Sequence, residues 1–243
     1  MIGIDACPYG WCVVHGTQSE VRIDLIRDLA ESKELLGQYP MTLIDIPIGL
    51  PDREHPRSVE ERARRILSHR SSSIFQTPSR RAVYAGSYEE ALAHHRDYTG
   101  KGISIQSWHI CPKIKQVDIF LKNNVTFVNV LKEAHPEICF HFLQKEPIRI
   151  PSKKTQEGRM TRLKILEYWM PDGRETFAKA RSNYKKKDVQ DDDILDAFCL
   201  WAVGLLSQQY GLSTVIEDQE DAVGIPMNMH FVDPFDRFTT ESG

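Results

Sequence analysis

Five aspartates in this chain have types and spacings that could do chemistry together. Asp5 ends the apolar run Ile2-Gly3-Ile4, and Asp45 stands near the end of a second apolar run, Met41 to Ile46. Asp192, Asp193 and Asp196 open a third apolar segment, in which residues three and four apart are neighbours on a helix. Two strand ends and one helix start are three separate sources of carboxylate, and they converge if the helix lies across the strands. Clustered carboxylates with few His or Cys neighbours favour hard cations, Mg²⁺ or Mn²⁺. Two such ions about 3.5–4 Å apart activate a water and stabilise the leaving oxygen of a phosphodiester. The ligands must come from different elements, because an in-line displacement is gripped from both sides. Each acid also has an ordinary reading: Asp closes turns, and acids in a first helical turn suit the helix dipole. Three acids within five residues exceed what capping needs, and a cation would relieve their repulsion.

The elements that must place these acids follow from the pattern around them. Cys7-Pro8-Tyr9-Gly10 is a turn between the strand ending at Asp5 and a second strand, Trp11 to Val14. Gln18 to Arg27 alternates polar residues with Val21, Ile23 and Leu25, which completes a three-stranded antiparallel meander. Asp28 and Glu31 form a capping box for a helix to about Leu36, stopped by Gly37 and Pro40. The run Met41 to Ile46 then pairs parallel to the first strand by a crossover, so Asp5 and Asp45 sit at the same end of adjacent strands. The closing helix is expected from Asp191 to about Gln209. Ile194, Leu195, Phe198, Trp201, Ala202 and Leu205 would share one face, with the acids opposite.

From about residue 51 to 124 the composition predicts a helical insertion within one domain spanning 1–243. Ser58 with Glu61 and Ser87 with Glu90 read as capping boxes, and Pro112 as a helix start with Ile114, Val117 and Leu121 facing inward. Arg64, Arg65, His69, Arg70, Arg80 and Arg81 bracket a polar run, and Arg64 and Arg70 are candidate contacts to a phosphate backbone. Val125 to Leu131 regains strand character. A short helix follows His135-Pro136-Glu137, the loop 151–155 leads into a helix from Gln156 to Trp169, and a shorter one ends near Arg181.

Bulk properties exclude several classes. An apolar fraction of 41% in 243 residues supports a sizeable core, and no run approaches the roughly eighteen apolar residues of a membrane span. Met1 leads directly into Ile-Gly-Ile-Asp with no leader pattern, and the five cysteines contain no C-x-x-C pair, so a soluble cytoplasmic protein without a disulfide framework is expected. A net charge of −3 means that nucleic acid would have to be met by local basic patches. His55, His94, His95 and His109 form no zinc-hydrolase pattern, and neither a G-x-S-x-G elbow nor a P-loop occurs.

Four segments, G-I-D-A-C-P-Y-G-W from Gly3, I-D-I-P-I-G-L-P from Ile44, H-P-E-I-C-F from His135 and D-D-I-L-D-A-F from Asp192, resemble an uncharacterised family described as predicted nucleases with a ribonuclease H-like fold. R-S-S-S-I-F-Q-T-P from Arg70, the stretch Gln106 to Asp118 and S-K-K-T-Q-E-G-R from Ser152 resemble the same family, so the likeness runs from Ile2 to about Leu206. It implies a mixed five-stranded sheet flanked by helices, with the insertion after the fourth strand. Metal-binding acids in that superfamily come from the first strand, the fourth strand and the C-terminal helix. At matching positions these are Asp5, Asp45 and the pair Asp193 and Asp196, with Asp192 an alternative to Asp193. The D-x-x-D-A pattern resembles the closing motif of Holliday-junction resolvases. Glu137 is a candidate rim ligand or general base, and Lys113 and Lys153 are candidate phosphate contacts.

The expectation is a Mg²⁺- or Mn²⁺-dependent nuclease or phosphodiesterase acting on RNA, DNA or a small phosphorylated substrate. Asp5 would bridge the ions, Asp45 would hold one, and Asp193 with Asp196 the other. The rival is a catalytically silent binding or scaffold module of the same fold, which dispersed acids would favour. A sugar-kinase or actin-type ATPase would need Gly and Ser or Thr after Asp5, where Ala6-Cys7-Pro8 stands instead.

Overall fold

The computed structural model describes residues 1–217 and 219–238, with His69 and Arg70 described in their backbone alone. Strand β1 (Ile2–Ala6) pairs antiparallel with β2 (Trp11–Thr17), and β2 with β3 (Glu20–Ile26), which is the meander that the alternation predicts. The turn between the first two closes on itself, Cys7 and Gly10 exchanging backbone hydrogen bonds at 3.0 Å. Val21, Ile23 and Leu25 are half-buried while Glu20, Arg22 and Asp24 are exposed, so the outer strand carries charge along its open side. Asp28 accepts from the Ala30 N–H, and a 3-10 turn followed by the one-turn helix α1 (Lys33–Leu36) returns the chain to β4 (Thr42–Ile44). Strand β4 runs parallel to β1 with Ile44 beside Ile4. With β5 (Leu131–Glu133) the sheet is mixed and five-stranded, in the order β3-β2-β1-β4-β5, and helices flank it.

Two compact units divide the chain. One comprises residues 1–45, 134–214 and the segment from 230 onward, and the other residues 46–133 and 215–229. The second unit is therefore wider than the insertion expected at 51–124. It holds α2 (Val59–Leu67), α3 (Arg80–Val83), α4 (Tyr88–Thr99) and α5 (Ile105–Asn123). Its late segment, irregular by sequence, is tied in by Asp221. The Arg80 guanidinium bridges Asp118, at 3.0 Å, and Asp221, whose carboxylate also accepts the N–H groups of Leu50, Val223 and Ile225. Helix α5 begins at Ile105 and not at Pro112. Ser104 caps it through the Ser107 N–H, and the buried face from Cys111 to Leu121 outweighs the one hydrogen bond that an exposed interior proline removes. The strand expected at Val125 to Leu131 lies instead at Leu131–Glu133, sharing only Leu131 with the expected span. Asn124 ends α5 by donating to the Phe120 carbonyl, and Val125 to Phe127 then coil into a 3-10 turn with Val125 exposed. Ser87 caps α4 as its capping box predicts, whereas the Ser58 hydroxyl is drawn away to Gln219.

Within the first unit lie α6 (Pro136–Leu143), α7 (Gln156–Trp169), α8 (Gly173–Asn183) and α9 (Asp191–Tyr210), followed by a short antiparallel pair, β6 (Ser213–Thr214) and β7 (His230–Phe231). Helix α9 rests on β1, β2 and β4 and is covered by α6, α7 and α8. It is consequently buried almost all round. Asp192 and Asp196 lie inside and not on an open polar face, which corrects the two-faced helix read from the sequence. Gly3 sets the spacing between strand and helix. A Cβ there would stand 2.2 Å from both the Ala197 carbonyl oxygen and the Trp201 backbone nitrogen, so only glycine lets β1 approach α9 this closely. Among the described residues no helix is long and apolar enough to cross a membrane.

Candidate metal centre

The site grows out of β1, β4 and α9. Asp5 is the fourth residue of β1, and Asp45 follows β4 directly, its N–H donating to the Ile4 carbonyl at 2.9 Å and so extending the parallel ladder by one step. The close approach at Gly3 lays the first turns of α9 over these strand ends and delivers Asp196. One carboxylate oxygen from each of Asp5, Asp45 and Asp196 lies within 4.8 Å of the other two. Asp5 is 6% exposed and Asp196 1%, while Asp45 is half-buried.

Burial raises the pKa of all three acids, and neighbouring carboxylates add to it. Burial pushes Asp5 well above the usual carboxylate range, and the charges of Asp45 and Asp196 push it further. Asp45 is raised by burial against the pull of His135 and Lys153. Asp196 is pushed up to about 6, again by burial first, with Lys153 opposing. The Lys153 ammonium, 2.5 Å from Asp196 Oδ2, is placed against the triplet; burial alone would weaken its proton, but the three acids hold it firmly charged. Asp196 Oδ1 is buried with no partner. A native interior seldom leaves such an oxygen unused.

The remaining candidates are placed elsewhere. Asp193 Oδ2 accepts the Gln190 N–H at 2.8 Å, closing a capping box on α9, and its carboxylate is not one of the three brought together. Asp192 pairs with Lys154 at 2.6 Å. Both oxygens of Glu137 receive Arg162 Nη2, at 2.6 and 2.7 Å, in a pair almost sealed from solvent. Lys113 lies half-exposed on α5 in the second unit. Arg64, also in that unit, braces a loop by donating to the Ile74 carbonyl at 2.9 Å. The Arg70 side chain lies outside the described residues.

Two residues of this site carried no sequence signal that singled them out. Arg162 donates from Nη1 to the carbonyls of Pro151 and Gly158 while Nη2 holds Glu137, so it ties α6 to the loop that carries Lys153. An arginine among the charged residues of α7 reads as solvated. The nearest clue is Gly158, where a Cβ would meet the Ser152 carbonyl oxygen at 1.9 Å. His135 caps α6, its Nδ1 accepting the Glu137 N–H at 3.2 Å, and its electrostatic influence falls on Asp45. Pro136 at the first helical position marks the start of α6 in the sequence, but His is not among the side chains that usually cap a helix.

A family model described as "Protein of unknown function (DUF429)" matches residues 3–220. No curated protein and no solved structure matches the chain.

Proposed function

The chain belongs to the family of proteins of unknown function designated DUF429, and from the geometry of its own acids we propose that it is a divalent-metal-dependent phosphodiester hydrolase, a nuclease or phosphodiesterase of ribonuclease H-like fold. The observation that carries this reading is the convergence of Asp5, Asp45 and Asp196 within 4.8 Å, from two adjacent parallel strands and one helix. The donor set is all carboxylate oxygen, which suits Mg²⁺ or Mn²⁺, and the orphaned Asp196 Oδ1 is a ligand atom waiting for a cation. A scaffold role would not require three like charges to be gathered in one buried place, at a cost in stability.

Asp5, Asp45 and Asp196 would hold the metal. When bound, it would lower the pKa of a water to make a nucleophile and would polarise a phosphoryl oxygen. Lys153 offsets one of the three charges, and its side chain is 32% exposed, so it can also draw an anionic phosphate toward the acids. Glu137, engaged by Arg162, contributes by fixing the loop that bears Lys153. Lys113 and Arg64 remain candidate phosphate contacts of the second unit, and the substrate class is a phosphodiester in RNA, DNA or a small molecule.

Metal affinity will depend on pH with a definite sign. Binding requires the carboxylates to shed protons, and Asp196 sheds its own only near pH 6, Asp5 above the usual range. Calorimetric Mn²⁺ titration will show the Kd rising about tenfold or more between pH 7.5 and 5.5. A flat profile over that interval would remove these acids from the metal site.

Hydrolysis tests the function itself. Wild-type protein with Mg²⁺ or Mn²⁺ is expected to cleave at least one of a bis-aryl phosphate diester, labelled RNA, linear DNA and branched DNA, and Asp45→Asn is expected to abolish the cleavage. A wild type that never exceeds Asp45→Asn on any of them, with either ion, overturns the proposal.

A further inference from the structure

The charges around the triplet fix how many metal ions it can take. The other acids near the start of α9 are engaged elsewhere. Asp191 faces Arg181 at 3.2 Å and Lys186 at 3.5 Å, and Asp192 faces Lys154. Asp193 accepts the Gln190 N–H at the positive end of its helix. Glu137 is matched by Arg162. Of the groups whose charge acts on more than one of the triplet and is not already matched by a cation, there remain Asp5, Asp45, Asp196 and the ammonium of Lys153, which acts on all three acids. His135 acts on Asp45 and Asp193 on Asp5, with opposite signs. Three carboxylates and one ammonium leave two negative charges. One divalent ion cancels them, whereas two would leave an excess of two positive charges in a buried site, where net charge is costly. The ligand atoms give the same answer. Lys153 takes Asp196 Oδ2, and Oδ1 is left buried and open.

Resting on the metal reading above, we propose that Lys153 Nζ occupies the place of a second cation, so that the site binds one divalent ion per chain and uses the lysine as its fixed partner charge. Asp5, Asp45 and Asp196 would hold the ion, and Lys153 would supply the second positive charge for a phosphate oxygen without exchanging with solvent.

Mn²⁺ stoichiometry tests this without any substrate. Equilibrium dialysis and electron paramagnetic resonance on the whole chain will give one Mn²⁺ per wild-type chain with the spectrum of an isolated ion. Lys153→Met will take up two, with the spectrum of an exchange-coupled pair, and Lys153→Arg, which keeps the charge, will stay at one. Two coupled ions in the wild type overturn the proposal, as does any result for a folded Lys153→Met other than a gained second ion. If Lys153→Met does not fold, the wild-type count and the Lys153→Arg count decide alone, and two ions in either overturns it. No Mn²⁺ bound by the wild type at all is a different failure and sinks the metal reading itself.

Discussion

Asp5→Asn will bind Mn²⁺ at least about 100-fold more weakly than the wild type, since loss of an outer-shell partner alone costs about 10–100-fold, and in the presence of a chelator it will be the more stable of the two proteins. Both effects come from one carboxylate. Asp5 is buried, and its ionised form is opposed by burial and by Asp45 and Asp196. The amide keeps the shape and removes the charge. Its removal relieves the desolvation and like-charge repulsion that oppose the ionised acid.

Proton linkage gives the second arm of the same experiment. In the metal-free wild type the native triplet holds protons that the unfolded chain has shed between the usual 3.8 and about 6. Stability therefore falls as pH rises through that window, and the cost is fully present above it. Urea unfolding in chelator at pH 7.5 and 4.5 will show a smaller pH difference for Asp5→Asn than for the wild type. Unchanged Mn²⁺ affinity, or a variant less stable than the wild type in chelator, would count against the acids acting as a unit.

Arg162→Met will lower stability by about 3–5 kcal/mol, the range for removing one partner of a buried ion pair. The guanidinium is fully buried, and its loss takes the charged partner from the Glu137 carboxylate and a donor from the carbonyls of Pro151 and Gly158. The double variant Arg162→Met, Glu137→Gln should recover part of the loss, because it removes the stranded charge as well. A double-mutant cycle by chemical denaturation measures this coupling. Additive single effects, each below about 1 kcal/mol, would show that the pair does not hold the loop.

The meander and the parallel fourth strand were readable because a period-two pattern fixes which residues pair, and a strand-end acid then follows from register. That is why Asp5 and Asp45 are adjacent as expected. Which helix acid joins them was not readable. Asp192, Asp193 and Asp196 all lie in the first turns of α9, and a helix covered on every side offers no apolar stripe to orient it. The decisive residue is Gly3, which sets Ala197 and Trp201 against β1 and so turns Asp196 toward Asp5. The extent of the second unit was hidden for a similar reason. Asp221 and Arg80 are unremarkable in sequence, and their ion pair, across many intervening residues, is one of the ties that join 215–229 to that unit. Pro112 misled because a lone exposed proline is tolerated inside a long helix that is well capped and packed.

The contact at Gly3 also sets the order of events during synthesis. Strand β1 leaves the ribosome well before the helix that covers it, which ends only at Tyr210. Residues 46–133 emerge next and likewise await a late segment, 215–229, whose Asp221 anchors Arg80. Completion of this core thus waits until α9 has emerged, and until then the apolar β1 and β2 lack the helix that will cover them. Such surface is what chaperones bind. A ribosome that stalls before Asp191 would release a chain without its covering helix, prone to aggregation and marked for degradation.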